Sequence, residues 1–415
     1  MPLTTIKNYY KKIPEYIVTR INKDLILNNI DNHYELKVGK GTYIVLGKYD
    51  FKRAKHIHNS NISATPLMSK LYNYYQYKEF DLTNKRIFIW LKECGYGDWL
   101  FHEPIIRFLK TKYPTLQITL AAANNRVEFI KSGFRHILDS NDRIITNPFK
   151  AEELINHDHH LVFDFHLTVE ESRWKNVYRQ FRRHVGIDSE DDTDNVCLVP
   201  RLSIPEFEPQ LVTSLKHQGL TNKLIILQMR TSSNLRNPSY DFKLKILNKI
   251  LEVIRNKDYI VAFIDEEDFR SDITNLIHDS FAPAKCLNLC GKTKNINDAV
   301  SIVAISKLVV SLDTGILHIA EALGIKSVGI FGPFSAEARV TTYTECAWVE
   351  PDEVAISGKI ANGLLSSPCA PCAQQTFNLC ENLNESDRPI CYDHIDIEED
   401  FTGKVIKQLG DIDHA

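Results

Sequence analysis

KLVVSLDTGILHIAEALGIKSVGIFGP, running from Lys307 to Pro333, reads as one strand, turn, helix and strand unit. Leu308, Val309 and Val310 make a short apolar run of strand type, and Asp313-Thr314-Gly315 break it. Ile316, Leu317, Ile319, Ala320, Ala322 and Leu323 then describe a helix buried over most of its surface. Gly324 stops that helix, a second apolar strand covers Ser327 to Phe331, and Gly332-Pro333 turn the chain. A strand that feeds straight into a helix leaves the first helical N–H groups unpaired and the positive end of the dipole exposed, which suits a diphosphate. Thr314 and Gly315 occupy that end, and His318, one turn further on, faces the same mouth. The plainer alternative makes Asp313 a helix cap and His318 a half-buried polar residue.

Working outward, 415 residues suffice for two domains with proper cores plus appendages. A content of 43% hydrophobic and 25% charged residues is that of an ordinary soluble globular protein. The net charge of -3 leaves no global basic field to argue for nucleic acid. No apolar run approaches the ~18 residues of a membrane span. The opening MPLTTIKNYYKKIPEY also lacks the apolar core of a signal peptide, so a cytoplasmic protein is expected.

Residues 1–80 read as a strand-rich accessory module. Within it, Tyr34, Leu36 and Val38 alternate with polar neighbours, Gly39-Lys40-Gly41 can turn the chain, and Tyr43 to Leu46 return, which predicts a hairpin. From Lys85 a βα alternation begins. RIFIWL (Arg86 to Leu91) is a strand, Cys94-Gly95-Tyr96-Gly97-Asp98 a glycine-broken turn, and a helix follows through Pro104, Phe108 and Leu109 to Lys112. Further strands are expected near Gln117 to Ala121, His136, Arg143 and Leu161 to Phe165, with a helix near Asn125 to Lys131. No G-x-G-x-x-G is present, so the dinucleotide fingerprint is absent. Asp98, a loop carboxylate above a strand end, is placed either to abstract a proton or to cap the next helix. RWKNVYRQFRRHVGI, from Arg173, has Trp174, Val177, Phe181 and Val185 on one helical stripe and Lys175, Arg179, Arg182 and Arg183 elsewhere, a solvated basic face or a landing surface for an acidic acceptor.

Pro200, Pro205 and Pro209 mark an interdomain linker, and a second alternation starts at Lys223. Strands are expected at Lys223 to Met229, Tyr259 to Ile264 and Leu287 to Leu289, and helices at Phe242 to Ile254, Phe269 to Ile277 and Asn297 to Ile305. Two such halves without sequence repetition fit two facing Rossmann-like domains with a cleft between them, the α/β arrangement called GT-B. The expected boundaries are residues 1–80 for the accessory module, 81–205 for the first domain, 206–345 for the second and 346–415 for a cysteine-rich finger and C-terminal helix.

Ser311, Asp313, Thr314, Gly315, His318, Ala320, Ala322, Leu323, Gly324, Phe331, Gly332 and Pro333 together resemble the signature of glycosyltransferase family 9, the heptosyltransferase family. Gly97, Asp98, Pro104, Leu109, Lys110, Tyr113 and Pro114 resemble that family's N-terminal motif. The resemblance spans roughly residues 86 to 335 and is thin between Ala123 and Thr221. It implies that Asp98 is the catalytic base. It also implies that a basic residue in the loop after Gln228, here Arg230 or Arg236, contacts the donor diphosphate. Asn237 stands where the family carries a tryptophan. Gly291-Lys292-Thr293 resembles a further lip of the donor pocket, so Lys292 and Thr293 join Asp313, Thr314, Gly315 and His318 as donor-binding candidates. Asp265 and Glu266 suit ribose hydroxyls or a helix N-cap.

Cys369, Cys372, Cys380 and Cys391 follow a C-x2-C-x7-C-x10-C spacing, in which a knuckle pair and two later thiolates can close a tetrahedron around a structural metal. Zinc is the default ion, and His394 could replace one thiolate. Uncoordinated thiols and disulfides are the alternatives. The resemblance adds iron, through the cysteine finger of the branch that modifies bacterial autotransporters. Cys286 and Cys290 read as core residues.

The resemblance thus implies inverting transfer of a sugar, heptose from ADP-heptose, to a hydroxyl of a protein or saccharide acceptor. No catalytic metal is required, because cations and a helix terminus take its place. Assembly into a homo-oligomer is a further expectation. Two other classes fit the same arrangement, a nucleotide-sugar epimerase that works on donor alone and a non-catalytic scaffold assembling through its metal finger.

Overall fold

A computed structural model describes residues 16–21, 25–27, 36–38, 43–47, 62–64, 81–92, 95–147, 153, 157–164, 198–231, 236–362, 364–365, 382–385 and 388–410. Between residues 16 and 64 the described elements are all strands. Strands β1 (Tyr16–Ile21), β2 (Leu25–Leu27), β3 (Leu36–Val38), β4 (Tyr43–Gly47) and β5 (Ile62–Ala64) pair antiparallel in two small sheets. The hairpin expected around Gly39-Lys40-Gly41 does not form. Strand β3 pairs β2, with Leu25 opposite Val38, whereas β4 pairs β1, with Tyr16 opposite Gly47. Long-range pairing with β1 overrides the local turn signal.

The first α/β lobe is a four-stranded parallel sheet ordered β8-β7-β6-β9. Its strands are β6 (Arg86–Lys92), β7 (Gln117–Ala123), β8 (Arg143–Asn147) and β9 (His159–Asp164). The short strand expected near His136 is instead a turn. Helix α1 (Tyr96–Lys112) follows β6, and α2 (Asn124–Gly133) follows β7. Pro104 lies inside α1, and the helix buries Trp99, Leu100, Phe101, Ile105, Ile106 and Leu109.

The second lobe is a six-stranded parallel sheet ordered β12-β11-β10-β13-β14-β15. It contains β10 (Leu224–Gln228), β11 (Ile260–Phe263), β12 (Cys286–Asn288), β13 (Leu308–Leu312), β14 (Ser327–Ile330) and β15 (Cys346–Val349). Helices α3 (Gln210–His217), α4 (Tyr240–Val253), α5 (Arg270–Asp279), α6 (Ile296–Ala304), α7 (Gly315–Ala322), α8 (Ala336–Val340), α9 (Glu353–Ala361) and α10 (Thr402–Leu409) accompany it. Strands β13 and β14 are buried at every position, as apolar runs covered on both faces should be. Gly324, at φ 68°, supplies the left-handed residue that ends α7.

The second sheet runs past the expected boundary at 345, because β15 pairs β14 in parallel, with Ser327 opposite Cys346. The C-terminal stretch belongs to the same body. Phe401, Val405 and Leu409 are buried in one core with Ile246, Ile250 and Val328.

Residues 198–209 thread between the lobes. Leu202 N–H donates to Ala322 of α7 at 2.9 Å, and Ser203 N–H donates to Gly133 at the end of α2 at 2.8 Å. Gly133 has no room for a side chain, since an added Cβ would lie 2.3 Å from the Leu202 methyl. Glu103, fully buried in α1, accepts from Arg107 at 2.8 Å and from Arg201 N–H at 2.9 Å, and its carboxylate lies 3.0 Å from His136. The linker is therefore fixed to the first lobe by a satisfied buried carboxylate.

Candidate active site

Each sheet has one place where the strand order reverses, and in open parallel sheets ligands sit at that crevice, beyond the strand carboxyl ends. In the second lobe the reversal lies between β10 and β13, where Gln228 faces Ser311 in register. From these ends leave the 229–239 loop and Asp313-Thr314. In the first lobe it lies between β6 and β9, and from β6 the chain passes to Gly95 and α1. The two crevices face each other through the first turns of α1 and α7. An added Cβ on Gly97 would meet the His318 ring at 2.4 Å, and one on Gly315 would meet Tyr96 Cβ at 3.2 Å. Glycine is needed at 97 because the helices start this close.

Asp98 sits at that contact. Its Oδ2 accepts the Gly95 N–H at 2.7 Å, satisfying the N-cap amide at the start of α1. Burial pushes the carboxyl up, and outweighs the opposing influence of Arg339, the Gly95 N–H and His318. Asp313 behaves oppositely. Burial would raise it, yet Arg339, the hydrogen bond from His318 and Arg236 hold it well below the ordinary carboxylate range. Its Oδ1 is 3.4 Å from His318 Nε2, and its Oδ2 lies 3.5 Å from Arg236 and 3.7 Å from Arg339. Two neighbouring carboxyls with values driven apart are the arrangement from which acid and base roles are assigned.

The remaining candidates separate. Thr314 caps α7, accepting from Ile316 N–H at 3.3 Å, and its hydroxyl meets Ser311 at 2.9 Å. His318 is buried, with Nδ1 2.7 Å from the Tyr343 hydroxyl and its ring edge-on to Phe101 at 4.7 Å. Arg230 and Arg236, six positions apart in one loop, go to different partners. Arg230 is held by Asp265 at 2.8 Å and Glu266 at 2.9 Å and lies 3.5 Å over the Phe269 ring. Arg236 donates to the Asp313 main-chain oxygen at 3.0 Å. Asn237, in the tryptophan's place, accepts from Thr231 N–H at 2.6 Å and donates back to Thr231 O at 3.2 Å, closing the loop at its base. Lys292 is exposed and Thr293 half-buried, on the turn after β12, where Gly291 takes φ 70°.

Sequence reasoning missed Arg339 and Tyr343. Both reach the site from α8 and the turn behind it, beyond the signature, and no spacing rule marks them. It also missed Tyr392. Its hydroxyl donates to the Arg236 main-chain oxygen at 2.7 Å.

The proposed metal ligands Cys369, Cys372 and Cys380 lie outside the described residues, as do Cys94 and the 173–184 stretch. Cys391 is described, and its side chain is buried. His394, weighed as a substitute ligand, has Nε2 3.1 Å from Lys359 Nζ, and burial with that ammonium lowers its pKa. Among the described residues no group of three or more His, Cys, Asp or Glu side chains could hold a metal, and no helix is long and apolar enough to cross a membrane. Cys286 and Cys290 have their thiols pushed up to about 11 by burial, in keeping with core residues.

Residues 210–353 match the family model of glycosyltransferase family 9 (heptosyltransferase). Lipooligosaccharide heptosyltransferase 2 of Haemophilus influenzae is 32% identical over 92 residues, which are 21% of this chain and 26% of that protein. The chain thus spans about a quarter of the length of this curated relative. The fold is similar to that of a family 9 glycosyl transferase from Veillonella parvula, with 12% identity, 72% of this chain and 95% of the other covered, and a TM-score of 0.52. It is also similar to the iron-containing dodecameric glycosyltransferase TibC of enterotoxigenic E. coli, with 12% identity, 80% of each chain covered and a TM-score of 0.53. TibC in complex with ADP-D-beta-D-heptose gives 11% identity, 96% and 92% coverage and a TM-score of 0.51. The stretch from 210 to 353, with the Asp313 to His318 signature at the switch point of its sheet, is thus similar to glycosyltransferase family 9.

Proposed function

We propose that the chain transfers a heptosyl group from ADP-heptose to an acceptor hydroxyl on a protein or saccharide, with inversion at the anomeric carbon. The observation that carries this reading is the pairing of Asp98 with the Asp313 cluster across the contact between α1 and α7. Asp98 is the base. Its raised pKa makes it a better proton acceptor than an exposed aspartate. As the acceptor oxygen attacks the anomeric carbon, the O–H proton passes to Asp98 and the bond to the diphosphate oxygen breaks. The leaving ADP carries away the bonding pair.

Charge balance chooses between the two loop arginines. Arg230 stands against two carboxylates, Asp265 and Glu266, so its neighbourhood has an excess of negative charge. That corner suits the hydroxyls of a ribose. Arg236 and Arg339 share the carboxylate of Asp313, and Arg339 also acts on Asp98, so one positive charge is left uncancelled once Asp98 has taken up the acceptor proton. That corner suits the developing negative charge of the departing diphosphate. Thr314 and Gly315 at the start of α7 add their N–H groups, with Lys292 and Thr293 as the outer lip. Asp313 itself acts as the anchor of the two guanidinium groups and of His318.

Asp98→Asn tests the assignment. It keeps the acceptor for the Gly95 N–H and removes the base, so kcat should fall by about 10²–10⁴ while calorimetric affinity for ADP is unchanged. Wild-type turnover in this variant would end the assignment. The dodecamer formed by TibC supports the companion proposal that this chain also assembles with copies of itself. Light scattering giving the mass of a single chain would dismiss it.

A further inference from the structure

Arg236 is presented by a loop, and what fixes that loop comes from a distant part of the chain. Tyr392 lies in a helical turn, Ile390–His394, that is well beyond the stretch matching the family model. The residue is almost completely buried. Its hydroxyl donates to the Arg236 main-chain oxygen at 2.7 Å. Its ring lies 5.4 Å from Phe242 in the first turn of α4, the helix that follows the Arg236 loop. On a third side it covers Gly332, where an added Cβ would come within 2.6 Å of the ring. One side chain thus touches the loop, the helix after it and the turn that ends β14.

We infer that Tyr392 is a positioning residue for the donor diphosphate, and that it brings the C-terminal segment into the donor site by fixing the backbone from which Arg236 reaches Asp313. The inference rests on the assignment of Arg236 to the diphosphate. The guanidinium donates to the Asp313 main-chain oxygen at 3.0 Å, so any tilt of residue 236 moves the cation relative to the start of α7. A phenol hydrogen bond to this part-buried carbonyl is suited to the task, because it holds the residue 236 backbone in one orientation at a modest net energy. Gly332 completes the fit, since a side chain there would displace the ring.

The test is a double-mutant cycle on ADP affinity, measured by titration calorimetry. Tyr392→Phe keeps the ring and deletes the hydroxyl, and it is expected to weaken ADP binding by about three- to tenfold with little change in melting temperature. In an Arg236→Ala background the same change should have no further effect, because a residue that acts through Arg236 has nothing left to position. Wild-type affinity in Tyr392→Phe overturns the inference. So does an equal loss with and without Arg236, which would mean that Tyr392 only stabilises the lobe. A wild-type protein that binds no ADP would bring down the glycosyl-transfer reading itself, an outcome distinct from either.

Discussion

The two carboxylates of the site give opposite dependences on pH. Asp98 has a folded-state pKa above the ordinary 3.8, with burial as the main cause. Between the unfolded and folded values the native state keeps a proton that the unfolded chain has lost, so stability falls as pH rises through that window. Two outcomes follow for Asp98→Asn. It should melt at or above the wild-type temperature at neutral pH while losing turnover, and the acid limb of the wild-type pH–rate profile should lie above the usual carboxylate range. A clear drop in melting temperature would show that the ionised form is favoured in the fold. Asp313 has a folded pKa below 3.8, so its contribution is complete above that value and is lost as pH falls towards the folded one. Asp313→Asn should destabilise at neutral pH, and the difference from wild type should vanish in strong acid. Asp98 and Asp313 could be singled out in the sequence because each lies where a strand gives way to a helix, although Asp98, expected on the loop, is the third residue of α1. Arg339, Tyr343 and Tyr392 could not, since they enter from segments whose local pattern says nothing about where they dock.

Between elements, Gly95 and Gly97 at the start of α1 read alike in sequence, but only Gly97 sets the contact with α7. An added Cβ at Gly97 meets the His318 ring at 2.4 Å, and that ring is held by Tyr343, Phe101 and Asp313, so it cannot give way cheaply. At Gly95 the nearest atom is Asp98 Oδ2 at 3.4 Å, with φ at an ordinary -76°. Gly97→Ala is therefore expected to cost about 1–3 kcal/mol and to separate the helix starts, with loss of turnover. Gly95→Ala should fold and turn over like wild type. Paired melts and rates check both, and equal behaviour of the two would refute the close-approach argument. The apolar strands around this contact could be read to within a residue or two, because parallel strands buried on both faces leave continuous hydrophobic runs. The Tyr34 to Leu46 hairpin was misread for the converse reason. Its turn residues are local, whereas the competing partner of β4 is β1, whose register no local rule can see. Strand β15, only Cys346 to Val349, was missed because four residues at a sheet edge show no period, and its partner β14 alone defines it.

At the scale of the molecule, the family match ends at 353 while the lobe it describes does not. Tyr392, Ile395, Phe401, Val405 and Leu409 are all buried in the core that also holds Ile246, Ile250 and Val328. Burial of a large apolar side chain stabilises by about 1.5–3 kcal/mol, so these five together contribute on the order of 10 kcal/mol as an upper estimate. That is comparable to the whole stability of a typical domain, roughly 5–15 kcal/mol. A chain ended at Leu365 should therefore not keep a native second lobe. The expected outcome is loss of the cooperative melting transition, exposure of apolar surface to a reporter dye, and no stabilisation by ADP. Supplying residues 382–410 as a separate peptide should restore the transition in proportion to peptide concentration, since the docking face is formed by α4 and the last strands of the sheet. A truncated chain that melts cooperatively near the wild-type temperature would show instead that β10 to β15 hold together without their C-terminal cover.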